Sequence, residues 1–279
     1  MSKQPPSSLS RAPLQSPAAG AEPGTALLVH VSDLHVGASS AHDFAAAALV
    51  AALVEDKTDI ICLTGDVTDS GSRKELALFW RLFEPLRDKL VIVPGNHDRG
   101  SDNAGNTFVP GGAAAWVRDF PQHRVRCICL DSTQPGNEVA MFAWGGVTPE
   151  QIEYAAQAAD IANAGGFFPV VLMHHHVLPR QGAEDVVTAV SDALKLPFMR
   201  HADNGMRLLA RLPGHCLVLH GHKHASTAAP PVYNAGSTTE STTYRQFWLV
   251  DGTVMRQTQG HFRSQWTPEA EDAIRASRQ

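Results

Sequence analysis

Five short segments carry side chains of the kinds that hold divalent cations. They are Asp33-Leu-His35, Gly65-Asp66-Val-Thr-Asp69, Gly95-Asn96-His97-Asp98, His174-His175-His176 and Gly221-His222-Lys-His224. Carboxylate, amide oxygen and imidazole together suit borderline or hard metals such as Mn, Fe, Zn, Co and Ni. No cysteine stands among them, which excludes a thiolate-type structural zinc site. Taken singly, each segment has a bland explanation. Gly-Asp and Gly-Asn are ordinary turn dipeptides, and three consecutive histidines can be part buried and part solvated. Taken together they are five donor groups, in order, each following an apolar run, and one shared centre accounts for all of them. The candidate ligands outnumber the four positions of a tetrahedral ion. Two ions sharing one carboxylate use them all, and such pairs clamp the attacking and leaving oxygens of phosphoryl displacements.

The elements that must position these groups are legible from hydropathy. Ala26–Ser32, Asp59–Thr64 and Lys89–Val93 read as buried strands, with helices over Ala41–Asp56 and Ser72–Leu86 between them. That alternation predicts βαβ units and a largely parallel sheet. In such sheets ligands bind beyond the carboxyl ends of the strands, where all five segments fall. Asp98–Ala113 reads as a long loop, Arg124–Asp131 and Pro169–Met173 as strands, and Thr148–Ala159 as a helix opened by Thr-Pro-Glu. Residues 178–201 read as irregular, Asp203–Leu212 as a short helix and Cys216–His220 as a strand. Short β runs follow near Val232, at Phe247–Val250 and at Thr253–Gln257. The organisation expected is a disordered tail over 1–24, one domain over 25–260, and a polar, helical tail over 261–279.

Composition narrows the function classes. The 279 residues carry 23 Lys and Arg against 28 Asp and Glu, a net charge of −5. This argues against a nucleic-acid partner gripped through bulk positive charge. The 14 histidines are the outlier and favour a metal site. Cys62, Cys127, Cys129 and Cys216 lie in strand-like runs without CxxC spacing and read as buried reduced thiols. The apolar stretch Phe44–Val54 is too short to span a bilayer and the first 24 residues hold no signal-like apolar run, so a soluble cytoplasmic protein without a membrane partner is expected.

The ordered set Asp33-x-His35, Gly65-Asp66-x-x-Asp69, Gly95-Asn96-His97-Asp98, His174 and Gly221-His222-x-His224 resembles the calcineurin-like metallophosphoesterase superfamily, over about Leu27 to Gly236. The wording TGDVTDSG, PGNHD and NAGS is similar to its cyclic-nucleotide and glycerophosphodiester phosphodiesterase branch. The resemblance implies an α/β fold, a two-sheet β-sandwich flanked by helices. It implies one metal on Asp33, His35, Asp66 and His224, and a second on Asp66, Asn96, His174 and His222, with Asp66 bridging. His97 would lie beside the phosphate, with Asp69 orienting it and Asp98 supporting from behind. Asn96, His97, His175 and Arg99 are the candidate substrate contacts, Arg99 for a second anionic group. His175 is the alternative to His174 as ligand, and His176 stands where this branch often has Pro. The activity implied is hydrolysis of small organic phosphodiesters, cyclic nucleotides among them, by direct attack of a metal-bridging hydroxide. A phosphomonoesterase or nucleotide pyrophosphatase uses the same ligands, and a non-catalytic scaffold would not need them. Members of the superfamily are often dimeric, so a homodimer is expected. Residues 101–110, 177–200 and 234–243 are expected to wall the pocket.

Overall fold

The computed structural model describes residues 12–15, 24–133, 144–178, 190, 194, 202–263 and 274. Two mixed sheets lie face to face. The first has the order β11-β10-β1-β2-β3, the second β4-β5-β6-β7-β9-β8. The elements are β1 (Thr25–Val31), α1 (Ser40–Glu55), β2 (Ile60–Thr64), α2 (Arg73–Leu82), β3 (Leu90–Val93), β4 (Ala115–Phe120), β5 (Val125–Leu130), α3 (Pro149–Ala164), β6 (Phe168–Leu172), α4 (Gly205–Arg211), β7 (Leu217–His220), β8 (Thr227–Ala229), β9 (Val232–Asn234), α5 (Thr238–Ser241), β10 (Thr243–Val250) and β11 (Thr253–His261). Strands β1, β2 and β3 are mutually parallel, as are β5, β6, β7 and β9. All the segments that carry candidate ligands follow parallel strands.

Burial explains why these strands lack strict polar alternation. Each central strand is covered on both faces, so both sets of side chains are apolar. Leu28, Ile60, Cys62, Val93, Cys127, Val170 and Leu219 meet between the sheets. Val29, Ile61 and Leu63 face outward against Leu49, Leu53, Phe79 and Phe83 of the α1 and α2 side. Ile128, Val171 and Val218 face α3 through Ile152, Ala155 and Ala159. The result is a four-layer helix, sheet, sheet, helix stack, the expected sandwich flanked by helices. Each fully buried aliphatic or aromatic side chain adds about 1.5–3 kcal/mol. All four cysteines are free and buried, as expected, and burial pushes the Cys216 thiol up to about 11.

Local signals set most boundaries. Ser72 and Glu75 form a capping box at α2, and Thr148 and Gln151 form another at α3, where Pro149 is the first helical residue. α2 stops at Leu82, short of the expected Leu86, because a 3₁₀ turn holding Pro85 follows at Glu84–Lys89. α3 runs on to Ala164, past the expected Ala159, and closes at Gly165. The expected loop 98–113 is instead wound into three 3₁₀ turns, His97–Arg99, Ala104–Phe108 and Pro110–Gly112. Asp251 and Gly252, at φ 49° and 70°, make the tight turn between β10 and β11.

β4 is among the elements that hydropathy missed, together with β8 and α5. It is an edge strand carrying Arg118 and Asp119, which blunt the free edge and break the apolar pattern. Of the expected disordered tail, residues 12–15 are described. They lie against β4 and β5, where Ala12 N donates to Ala115 O at 3.3 Å and Arg126 donates to Gln15 O at 2.7 Å. The irregular stretch 178–201 and the expected C-terminal helix fall almost wholly outside the described residues. Among the described residues no helix is long and apolar enough to cross a membrane.

Candidate metal centre

The loops after β1, β2, β3, β6 and β7 converge at one edge of the stack. The backbone there is held in an unusual state. Asp33, His35, Asp66 and His222 all have left-handed φ values, of 52°, 46°, 49° and 72°. Asp and His tolerate this region better than most residues, at a cost of order 1–2 kcal/mol each. Four such residues at one place mark a site where the surrounding packing over-determines the backbone. The loops are also cross-tied. Asp33 N donates to Gly65 O at 3.1 Å, His35 N to Asp66 O at 3.0 Å, and Gly221 N to His174 O at 2.9 Å.

The side chains form two overlapping clusters. In the first, His35 Nε2 lies 3.3 Å from His224 Nε2 and 3.9 Å from Asp66 Oδ2, and His224 Nε2 lies 3.9 Å from Asp33 Oδ1. In the second, His174 Nε2 lies 3.3 Å from Asp66 Oδ2 and 3.1 Å from Asn96 Oδ1, while His222 Nδ1 lies 3.1 Å from Asn96 Oδ1 and 3.3 Å from His174 Nε2. Ligand atoms held about 2.0–2.2 Å from one ion stand about 3.0–3.5 Å apart, so the second cluster has the spacing of a coordination shell, while the first is wider at two of its three distances. Asp66 belongs to both clusters. All seven expected ligands are therefore brought together, and all but the exposed His224 are buried.

Hydrogen bonding selects which ring nitrogen each histidine offers. His174 Nδ1 lies 2.8 Å from Thr64 O, His35 Nδ1 3.3 Å from Asp69 Oδ1, and His224 Nδ1 3.0 Å from Glu240 Oε2. These oxygens only accept, so Nδ1 carries the proton and Nε2 keeps its lone pair for a cation. His175 is the reverse case. Ser132 Oγ accepts from His174 N and His175 N, both at 3.2 Å, which fills its lone pairs. Its hydrogen therefore goes to His175 Nδ1 at 2.9 Å, and the His175 proton sits on Nε2. His174 presents a free lone pair to the centre, and His175 does not. His176 is fully buried with neither ring nitrogen bonded, its ring stacked on His222 at 5.7 Å.

Charge is balanced inside the clusters. Burial alone would lower His35, but the Asp69 hydrogen bond and the Asp66 and Asp33 charges hold it up at about 9. Burial likewise opposes His174, and Asp66 and Asp33 raise it to about 9. Burial would raise Asp66, yet His174, His97 and His35 keep its carboxyl well below the usual range. Burial, with help from Asp66, raises Asp33. His222 is pushed down to about 3, first by burial and then by the His174 charge.

The supporting residues depart from expectation in two places. Asp69 reaches His97 through its main chain, since His97 Nδ1 lies 2.6 Å from Asp69 O and 3.9 Å from the carboxylate. The carboxylate itself serves His35. Arg99 is turned to the loop rather than left for a second anion: its guanidinium bonds Thr133, Asn103, Asn106 and Asp131, committing four of its five N–H groups. Asp98 backs the centre as expected, accepting from Val67 N, Thr68 N, Thr68 Oγ1 and Gly95 N at 2.7–3.2 Å. Sequence reasoning did not single out Glu240 or Ser132, because nothing near them in the chain announces the histidines they meet. Of the expected pocket walls, 101–110 and 234–243 are described, and 179–200 is almost wholly outside the described residues.

The calcineurin-like phosphoesterase family model matches residues 26–226. The chain is 29% identical over 212 residues to the 3',5'-cyclic adenosine monophosphate phosphodiesterase CpdA of Pseudomonas aeruginosa, covering 71% of this chain and 69% of the relative. It is 25% identical over 228 residues to the glycerophosphodiester phosphodiesterase GpdQ of Enterobacter lignolyticus, covering 72% of each. In fold it is similar to a dimetal phosphatase from Danio rerio, with a TM-score of 0.55 at 12% identity over 85% of this chain and 99% of that one.

Proposed function

The chain belongs to the calcineurin-like phosphoesterase family, and we propose that it is a two-metal phosphodiesterase acting on small organic diesters, with cyclic nucleotides among the candidates. The observation that carries this reading is the pair of ligand clusters sharing Asp66. Asp33, His35, Asp66 and His224 would hold one cation, and Asp66, Asn96, His174 and His222 the other. When bound, the cations supply Lewis acidity toward phosphoryl oxygens and bring the pKa of water toward neutrality. Preference for a diester draws on the two relatives, both named as phosphodiesterases.

The chain's own residues supply orientation and charge. His97 N donates to Asp66 Oδ1 at 2.9 Å, so the residue that faces substrate is registered on the shared ligand. Its Nδ1–H is spent on Asp69 O. Nε2 can therefore donate to a phosphoryl or leaving oxygen only from the imidazolium form. The partly exposed His97 ring leaves Nε2 open to a ligand.

The test is paired hydrolysis of bis(p-nitrophenyl) phosphate and p-nitrophenyl phosphate, each with Mn²⁺ and with EDTA. Faster, chelator-sensitive turnover of the diester is expected. Preference for the monoester, or turnover indifferent to EDTA, would overturn the reading.

A second expectation concerns pH. Metal-free His35 and His174, both held at about 9, carry protons at pH 7. A cation needs their lone pairs, so loading releases protons, about two per protein at neutral pH. Apparent Mn²⁺ affinity should then rise with pH and level off above about 9. Calorimetry at pH 7 in buffers of different ionisation enthalpy reads the release directly, and no release would contradict the assigned ligands.

A further inference from the structure

Six of the seven expected ligands are buried, and their neighbours hold them in place. His224 is the exception, its side chain 42% exposed. An exposed imidazole rotates freely unless something fixes it. What lies against it is Glu240, with Oε2 at 3.0 Å from Nδ1 and Oε1 at 3.9 Å from His42 Nε2 of α1.

Glu240 belongs to a turn that is itself docked on the first ligand loop. Ser237 Oγ accepts from Glu240 N at 3.4 Å and donates to Asp33 O at 3.0 Å. Thr238 N donates to Ser32 O at 3.0 Å, and Thr238 Oγ1 accepts from Ser32 N at 3.1 Å. Thr239 Oγ1 donates to Leu34 O at 3.0 Å. Ser237 N donates to His224 O at 3.2 Å, so the same turn grips both ends of the first cluster. The left-handed residues Asp33 and His35 sit in the loop that this turn clamps.

We propose that Glu240 is a positioning residue for the cation of Asp33, His35, Asp66 and His224, fixing the His224 ring so that Nε2 faces that position, with Ser237, Thr238 and Thr239 as the clamp that aims it. The inference rests on the two-metal reading above and adds an asymmetry to it. The second cluster has no contact with Glu240 among the described residues, and its histidines are buried. Loss of Glu240 therefore weakens one cation and spares the other.

The experiment is a two-site titration of chelator-stripped protein with Co²⁺, followed by visible absorption and calorimetry, on the wild type, Glu240→Ala, Glu240→Gln and Glu240→Asp. Glu153→Gln, at a surface pair with Arg211, serves as control. Wild type and control should bind two cations. Glu240→Ala should bind one as tightly as before and the other about 10–100-fold more weakly, the usual effect of removing a carboxylate behind a ligating histidine. Glu240→Gln should recover part of the loss, since its amide oxygen still accepts from Nδ1. Equal weakening of both cations at an unchanged thermal melt, or unchanged binding of both in Glu240→Ala, would overturn the inference while leaving the two-metal reading in place. A wild type that binds fewer than two cations would overturn both.

Discussion

Asp66→Ala should leave a protein that binds neither cation and whose kcat/KM on the diester falls by at least about 10³-fold, the equivalent of the several kcal/mol that metal electrostatics contribute. Its Oδ2 is the atom common to the two clusters, 3.3 Å from His174 Nε2 and 3.9 Å from His35 Nε2. Its Oδ1 holds His97 N. Without this carboxylate, His35 and His174 also lose a principal counter-charge in a buried place. His97→Ala makes the contrast. The ring belongs to neither ligand set, so two cations should remain while turnover drops by about 10²–10⁴-fold, the range of a lost acid catalyst. Metal content by plasma emission, measured beside kinetics on both variants, separates the roles. Equal metal loss in the two would sink the division.

Gly221→Ala and Gly95→Ala are expected to destroy the centre without touching a ligand. A Cβ on Gly221 would lie 1.8 Å from Ser32 Oγ and 2.5 Å from Asp33 Oδ2. A Cβ on Gly95 would lie 2.1 Å from Asp66 Oδ1 and 2.3 Å from Asp66 N. Neither neighbour can yield. Asp66 N belongs to a main chain cross-tied to the β1 loop, and Ser32 is tied to Thr64 O at 3.1 Å and to Thr238. The substituted protein must shift the loop that carries a ligand, at a cost of about 1–3 kcal/mol or more. Both variants should melt earlier and fail to load two cations. Gly214→Ala, where a Cβ would meet nothing within 4 Å, should behave as wild type. Full two-cation binding by Gly221→Ala would show that the loop is less constrained than its contacts require.

The glycines also explain why so much of the centre was readable in advance. Four of the five ligand blocks join an apolar run to a glycine or a left-handed residue, because the chain must turn at once and pack closely behind the ligands, and the His174–His176 block is the exception. That demand leaves a local mark, and Asp33, His35, Asp66, Asn96, His174, His222 and His224 all converge as the order of blocks suggested. The central strands were readable for a similar reason, since burial on both faces enforces continuous apolar runs. β4 was not, because an edge strand answers to solvent and to its neighbour rather than to a core. Its Arg118 donates across to Leu90 O of β3, a partner 28 residues away.

What remained hidden is of one physical kind. The family resemblance makes Asp69 the partner that orients His97, yet the loop after β2 places its carboxylate on His35 and its carbonyl on His97. Arg99 follows the NHD block and reads as a free cation, yet Asp131 lies within its reach. His174 reads as the ligand with His175 as its alternative, and the contact that distinguishes their ring nitrogens comes from Ser132, 43 residues from His175. Glu240 meets His224 across sixteen residues, and the turn that bears it is fastened to Asp33 more than two hundred residues earlier. The chain by itself determined which groups could ligate and that they end strands, since turn chemistry and burial act over a few residues. Only the tertiary structure decided which atom of each group faces the centre, because a hydrogen bond depends on distance in space and leaves no periodicity along the chain.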